Sequence, residues 1–245
     1  GPTTAYRRRR TVSKAKKKYP PVTVEEARRG IYIDFEGTMK DPASFLGVLV
    51  VDDSGATEFD QPVFEEDLWP VVRRHKPKKT AGYAPREADF FETFVALRER
   101  AESESRKVFA YSEHEVSEIS ERILLKREVQ WWQENLLNAR PYAKAWKKDR
   151  HPNVEFMKAK NKPMSGKYTL DQFFKLIDYQ VPKTLGPGNS AQRIKYVRDM
   201  LNKHGGNYGA LSSTAKGKWT KACLHNWHDC EGLRRLMISV AENAP

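Results

Sequence analysis

The sequence predicts an α/β fold in which a central sheet of mixed strand direction carries flanking helices and a large helical insertion. Two observations predict it: three strand-like segments come first, and helical and strand-like patterns then alternate. The hydrophobic fraction of 39% and the aromatic fraction of 11% are sufficient for a packed core. The length of 245 residues suits one large domain or two small ones. We expect one domain over residues 25–245, preceded by a basic arm over residues 1–24.

Apolar runs of strand length predict the first three strands. Residues 31–37 read IYIDFEG, and their Ile, Tyr and Phe residues are typical of a buried strand. Residues 44–53 are apolar until two terminal aspartates, and the turn that follows leads into partial alternation over residues 56–64. These segments therefore predict a meander of strands.

Helical periodicity dominates the rest of the chain. The predicted elements are two helices after the third strand, the clearer over 86–103, a short buried strand over 107–111, a helix over 115–132, short helices over 170–178 and 190–203, and a helical segment over 215–241 that breaks once near Asn226. Between about 133 and 216 the chain is polar, basic and interrupted by Pro and Gly. This range is predicted as the helical insertion.

The chain has a net charge of +12, from 44 Lys and Arg residues against 32 Asp and Glu residues. A surplus of this size favours a polyanionic partner, nucleic acid first, although a solvated basic surface explains the net charge alone about as well. The basic run over residues 6–18, YRRRRTVSKAKKK, is typical of a mobile tail. Such a run is also suited to lie along phosphates or to act as an address signal.

No segment predicts a membrane span or a signal peptide, because no apolar run approaches the roughly 20 residues that a span needs. Cys223 and Cys230 are the only cysteines, so a disulfide framework is not predicted. These observations predict an intracellular, reducing location, the cytoplasm with association to the nucleoid as an option.

Acidic side chains stand at three places where the pattern predicts burial or a strand end. Asp34 and Glu36 are two residues apart near the end of the first strand, and so point to one face of the sheet. Glu115 follows the strand over 107–111, and Asp229 lies between apolar residues of the C-terminal helical segment. Buried carboxylates need positive compensation, which Mg²⁺ or Mn²⁺ supplies by taking oxygen ligands. Two such ions about 4 Å apart activate water and stabilise the leaving oxygen in phosphodiester cleavage.

Three motifs around these acids resemble the RNase H-like superfamily. YIDFEG resembles its first motif, an Asp-x-Glu at the end of the first strand, and VFAYSEHE resembles its second, in which an acid follows a strand and a Tyr. HNWHDC resembles its third, Tyr-Asn-x-x-Asp-Cys. The match is closest to the DnaQ-like (DEDD) 3′–5′ exonucleases, in particular the YprB-type predicted RNase H-like nucleases, and spans roughly residues 30–125 and 215–241. The resemblance implies that two Mg²⁺ or Mn²⁺ ions are held by four acids, Asp34, Glu36, Glu115 and Asp229.

Two positions in these motifs have alternatives. His225 stands four residues before Asp229, where the tyrosine-bearing exonucleases place the Tyr that orients the attacking water. Because i and i+4 share a helix face and a histidine pKa near 6.5 suits a base, His225 is predicted as a catalytic residue. The histidine-bearing branch places its His at the position of Leu224, so a surface or supporting role for His225 is the alternative. Glu113 is the alternative to Glu115, which we prefer on spacing.

Cys223, His225, His228 and Cys230 lie within eight residues, which suggests a zinc site as another interpretation. However, a single helical segment does not readily surround a tetrahedral ion, and structural zinc sites usually combine two separated ligand pairs. Two buried thiols and two ordinary histidines are therefore the preferred interpretation.

LGPGNS, at residues 185–190, resembles a phosphate-binding loop only superficially. It lacks the Walker lysine and a preceding strand, so we predict a turn that enters a helix. Any motor activity would therefore come from a protein partner or from additional domains.

The insertion interleaves cations with aromatic rings, which is typical of single-strand binding, since cations hold phosphates and rings stack on bases. For any one residue, a solvated helical surface with core rings is the simpler alternative. The predicted nucleic-acid-binding residues are Lys144, Trp146, Lys147, Lys148, Lys160, Lys162 and Lys167.

These observations together predict a metal-dependent nuclease, and a 3′–5′ exonuclease acting on single-stranded DNA or RNA ends is the first hypothesis. A nucleic-acid-binding module of the same fold that does not cleave is the second, since a His replaces the third-motif Tyr. An endonuclease of the same fold is the third.

Overall fold

The computed structural model describes residues 19–79, 81–158, 166–186 and 189–244. The basic run over residues 6–18 lies outside the described residues, as do Lys160 and Lys162. In the described part of the chain, no helix combines the length and the apolar composition that crossing a membrane requires.

Six strands form one mixed sheet within the described residues. They are β1 (Ile31–Glu36), β2 (Phe45–Val51), β3 (Thr57–Val63), β4 (Pro85–Glu87), β5 (Val108–Ala110) and β6 (Leu136–Asn138), in the spatial order β4-β3-β2-β1-β5-β6. β1, β2 and β3 form an antiparallel meander, whereas β5 runs parallel to β1, β6 parallel to β5, and β4 parallel to β3. The predicted α/β fold with a mixed sheet and flanking helices is confirmed.

Helices cover both faces of this sheet. They are α1 (Val24–Arg29), α2 (Trp69–Arg74), α3 (Phe90–Ser103), α4 (His114–Arg122), α5 (Lys126–Asn135), α6 (Ala139–Arg150), α7 (Leu170–Leu176), α8 (Ser190–Lys203) and α9 (Ser213–Glu242). α3, α4 and α5 pack on one face. α1, α6, α7 and α9 pack on the other, with α2 and α8 beside them.

The side-chain alternation of β1 sets the position of the acids. Its odd-numbered residues lie in the core beneath α3, α4 and α5, whereas Tyr32 is buried on the opposite face with residues of α9. Each such fully buried large apolar side chain contributes about 1.5–3 kcal/mol, which fixes the register of the strand. Since side chains alternate, Asp34 and Glu36 share the Tyr32 face and lie beneath α9.

The predicted single helix over 115–132 is wrong, because two helices, α4 and α5, occupy this range. Ile123 adopts an extended conformation between them (φ −97°, ψ 121°) and is buried in the core with Trp132. Leu124, its neighbour, is 94% exposed. Periodicity did not indicate the break because apolar residues continue through it.

The predicted break near Asn226 is also wrong, since α9 is continuous over 30 residues. Asparagine disfavours helix interiors when its side chain competes for nearby backbone groups. Here the Asn226 amide instead bonds across to β1 and β3, so it leaves the hydrogen bonds of the helix intact.

The first part of the predicted insertion belongs to the core. β6 is an edge strand of the sheet, and α6 buries Ala139, Ala143 and Trp146 against it and α9. The predicted helix over 86–103 begins only at Phe90, because residues 85–87 form edge strand β4. The short helices predicted over 170–178 and 190–203 are confirmed as α7 and α8.

Candidate metal centre

Three of the predicted acids meet on the face of the sheet that α9 covers. Asp34 and Glu36 project from the last half of β1, and Asp229 projects from the middle of α9. One carboxylate oxygen from each lies within 4.8 Å of the other two. We call these three residues the acidic triad; each is partly buried.

Burial and neighbouring acidic groups raise the pKa values of all three carboxyl groups. The pKa of Asp34 is raised to about 7, chiefly by burial and then by the charge of Glu115. Burial also holds the pKa of Glu36 well above its usual range, and the charges of Asp34 and Asp229 add to the shift. The pKa of Asp229 is likewise raised well above its usual range by burial, then by Asp34 and Asp171. Such a cluster must hold protons or bind cations, and oxygen-rich sites of this kind suit Mg²⁺ and Mn²⁺.

Asn226 holds Asp34 in place. Its Nδ2 donates to the backbone oxygen of Asp34 at 3.0 Å and to the carboxylate Oδ2 at 3.1 Å. Its Oδ1 accepts from Nε2 of Gln61 at 2.9 Å, and Gln61 in turn accepts from the backbone N–H of Ala84 at 2.9 Å. Asn226 and Gln61 are fully buried. This chain of hydrogen bonds runs from the residue before β4 through Gln61 of β3 to α9, and it fixes the orientation of the Asp34 carboxylate.

Gly47 makes room for that contact. It lies directly opposite Asp34 on β2, and a Cβ added there would stand 2.2 Å from Oδ1 of Asn226. Any side chain at position 47 would therefore displace the Asn226 amide. The sequence pattern offered no reason to single out this glycine, because its role depends on Asn226, which lies 179 residues later in the chain.

We expect Gly47→Ala to lower the stability of the fold by about 1–3 kcal/mol, the usual cost of overpacking a core. That cost lowers Tm by about 2–12 °C in a chain of this size. Gly217→Ala on α9 is the matched control, since the added Cβ meets open space and alanine favours a helix by about 1 kcal/mol. Thermal unfolding compares the two variants. An unchanged Tm for Gly47→Ala would contradict the steric argument.

Glu115 lies close to the acidic triad without joining it. It is buried in the first turn of α4, and Oγ of Ser112 donates to its Oε2 at 2.9 Å. Its charge raises the pKa of Asp34, and burial raises its own pKa. Glu113, the alternative in this motif, is exposed at the N-cap of α4. The geometry therefore favours Glu115 as the fourth acid.

His225 lies beside the triad in a cleft that Glu36 and Asp229 also line. Its ring is buried, and Nε2 stands 3.4 Å from the carbonyl oxygen of Leu185, to which it donates. Burial lowers the pKa of His225, and the charge of Arg193 lowers it further. The imidazole is therefore neutral at pH 7, the protonation state that a base requires.

Asp171 is an acid of this site that the sequence did not indicate. It lies in the first turn of α7, lines the same cleft and raises the pKa of Asp229. Phe174, one turn further on, packs against Gly232 of α9. A Cβ added to Gly232 would stand only 2.2 Å from the Phe174 ring, so the glycine allows α7 to approach α9 closely. An acid in the first turn of a helix is ordinarily explained by its favourable interaction with the helix dipole. The sequence pattern therefore did not distinguish Asp171 from any other acid at a helix start.

The predicted nucleic-acid-binding residues that the structure describes do not line this cleft. Trp146 is buried in the core with Phe156, so its assignment as a base-stacking residue is wrong. Lys144 and Lys167 lie over the ring of Tyr168, and Lys147 lies over Phe156. Lys148 is exposed on the same helix, α6, and no described residue of α6 borders the cleft.

The zinc interpretation finds no support in the structure. Cys223 and Cys230 are buried free thiols in different parts of the core. His228 Nδ1 instead contacts the Tyr179 hydroxyl at 2.6 Å. Among the described residues, the acidic triad is the one group of three or more potential ligands close enough to share an ion.

No protein-family model, curated protein or solved structure matches this chain. The arrangement of side chains in the site is therefore the ground on which its function is inferred.

Proposed function

We propose that this chain is a metal-dependent nuclease that cleaves phosphodiester bonds, with 3′–5′ exonuclease action on single-stranded ends as the favoured activity. One observation carries the proposal: three carboxylates of distant sequence positions converge within 4.8 Å on one face of the sheet. Burial and like charge raise their pKa values, while the groups that lower the pKa values of Asp34 and Glu36 are hydrogen-bond partners such as Asn226 and Ser190 rather than cations. A pair of Mg²⁺ or Mn²⁺ ions would supply the missing positive charge.

The sheet supports the same proposal. An antiparallel meander of three strands followed by two parallel strands is compatible with an RNase H-like fold, with β4 as an additional edge strand. The acids at the end of β1 and in the final helix occupy the places that the motif resemblance implies. Fold analogy alone would not assign an activity, so the acidic triad carries the greater weight.

Each residue has a distinct role in the proposed reaction. Asp34, Glu36 and Asp229 would hold the divalent cations, Asn226 fixes the orientation of Asp34, and Glu115 completes the acidic environment. When bound, the ions would lower the pKa of a water and neutralise charge on the phosphate. Because Nε2 of the neutral His225 ring donates to Leu185, its Nδ1 is the atom that would accept a proton from the attacking water.

A labelled oligonucleotide tests the proposal. We expect a 5′-labelled single strand of DNA or RNA to shorten stepwise from its 3′ end with Mn²⁺ or Mg²⁺, and to stay intact with EDTA. Internal cuts would show that the protein is an endonuclease of the same fold and not an exonuclease. Binding without cleavage, whichever divalent cation is present, would contradict the proposed nuclease activity and would indicate a nucleic-acid-binding module.

A further inference from the structure

Two residues of the acidic triad, Glu36 and Asp229, line a cleft of about 1720 Å³, which we call the central cleft. One wall is the segment over residues 37–43, between β1 and β2, together with the exposed face of α4. The other wall is α7, the segment after it and the first turn of α8. The second half of the predicted insertion thus faces the triad, although its first half is core.

Three lysines on these walls are exposed: Lys40 on the first wall, and Lys175 and Lys183 on the second. Within the described residues their side-chain ammonium groups have no ion-pair or hydrogen-bond partner. Lys195 also lines the cleft, but it pairs with Asp199 at 2.6 Å. Unpaired lysines around an acidic centre are suited to a ligand that brings negative charge to the walls and metal ions to the centre.

The start of α8 adds a second source of positive potential. Ser190, its first residue, lines the cleft together with Glu36 and lowers the pKa of that carboxyl group, so the helix begins close to the triad. The unpaired N–H groups of a first helical turn favour phosphate. On α7, Lys175 follows Asp171 by one helical turn, so one helix contributes both an acid near Asp229 and a lysine on the wall.

Four acidic residues lie on the walls, and two of them, Asp41 and Glu118, are compensated by arginines, whereas Glu121 and Asp171 have no ion pair among the described residues. Asp41 pairs with Arg198 at 3.1 Å, and Glu118 lies 3.7 Å from Arg122. Tyr179 also lines the cleft; its hydroxyl is fixed by His228 and its ring packs on Phe174. A fixed aromatic ring among cations is the combination that single-stranded nucleic acid uses for base stacking.

We propose that the central cleft is the path of a single-stranded polynucleotide, with Lys40, Lys175, Lys183 and the first turn of α8 on its phosphates and Tyr179 against a base. This inference rests on the proposed nuclease function and assigns its substrate surface. The exposed lysines of α6 do not take part. A single strand is favoured because the ring of Tyr179 in the cleft is suited to stack on an unpaired base.

Two triple variants of equal charge test the path. The cleft variant is Lys40→Gln, Lys175→Gln, Lys183→Gln; the control is Lys144→Gln, Lys148→Gln, Lys167→Gln. The probe is a fluorescein-labelled single-stranded phosphorothioate oligonucleotide, which resists hydrolysis, and binding is read by anisotropy with Mg²⁺ over a range of salt. A matched duplex is the second probe.

We expect the cleft variant to bind the single strand at least about tenfold more weakly and to lower the salt slope by about 2, since each lost phosphate contact contributes about 0.7. The control should change affinity less than twofold, and the duplex should bind more weakly than the single strand. Equal loss in both variants, or no loss in the cleft variant, would overturn the path even if cleavage occurs. Conversely, cleft-dependent binding without cleavage would overturn the nuclease and leave the path standing.

Discussion

Asp34→Asn is expected to reduce Mn²⁺-dependent cleavage by at least about 10³-fold, because charge stabilisation at the reacting phosphate depends on correctly held cations. Asparagine preserves the shape of the side chain and an acceptor oxygen for Nδ2 of Asn226. It removes one of the three carboxyl groups whose oxygens lie within 4.8 Å of one another. The rate at saturating oligonucleotide and the Mn²⁺ affinity from calorimetry together measure the effect, and both should fall.

Asp53→Asn is the matched control for that variant. Asp53 is exposed near the turn between β2 and β3, where it pairs with Arg29 at 3.0 Å. It does not belong to the acidic triad. The same charge change there should leave cleavage within about twofold, since exposed ion pairs contribute little. If Asp34→Asn retained more than a tenth of the wild-type rate and an unchanged Mn²⁺ affinity, Asp34 would not be a metal ligand.

The acids on β1 could be predicted because their signal is local. Alternation with period 2 places Asp34 and Glu36 on one face, and the strand residues around them indicate burial. Asp229 was predicted from its apolar neighbours and from the motif resemblance, and the structure brings it to the same place. The sequence pattern did not indicate that Asp229 lies next to Asp34 and Glu36, because this proximity depends on α9 crossing that face of the sheet.

Other features of the site could not be predicted because their signal is tertiary. Gly47 and Asn226 act as a pair only through a contact between β2 and α9. Asp171 resembles any acid at a helix start, and Lys175 resembles any exposed helical lysine. The basic and aromatic pattern around Trp146 was misleading, because buried rings with lysines at the surface are also what a core helix shows.

The pKa of Asp34 predicts a pH dependence of stability in the metal-free protein. An acid whose pKa is higher in the folded than in the unfolded state stabilises the fold when protonated, and that contribution is lost as pH rises. For Asp34 the loss runs from its ordinary pKa of 3.8 to about 7. Asp34→Asn abolishes this titration, so the variant should gain stability relative to the wild type as pH rises. Glu36 and Asp229, whose pKa values are also raised, act in the same direction.

The difference in Tm between Asp34→Asn and wild type, both in EDTA, is therefore the quantity to measure. It is preferable to the wild-type Tm alone, because burial lowers the pKa of His228 to about 4 and this group titrates in the opposite sense. We expect the variant to gain at least about 1 kcal/mol, or about 3 °C in Tm, between pH 5 and pH 8.

Divalent cations should reverse the change with pH that is expected in EDTA, where Asp34→Asn gains stability relative to the wild type as pH rises. Saturating Mn²⁺ binds the ionised triad of the wild type, so it should raise the wild-type Tm at pH 8 and have less effect at pH 5, where the carboxyl groups are protonated. Asp34→Asn should respond weakly at both pH values, and Asp53→Asn should follow the wild type. An equal gain from Mn²⁺ at the two pH values would mean that the ion binds elsewhere. A Tm difference independent of pH would mean that Asp34 is ionised at little cost, and the electrostatic reason for placing cations among these carboxylates would fail.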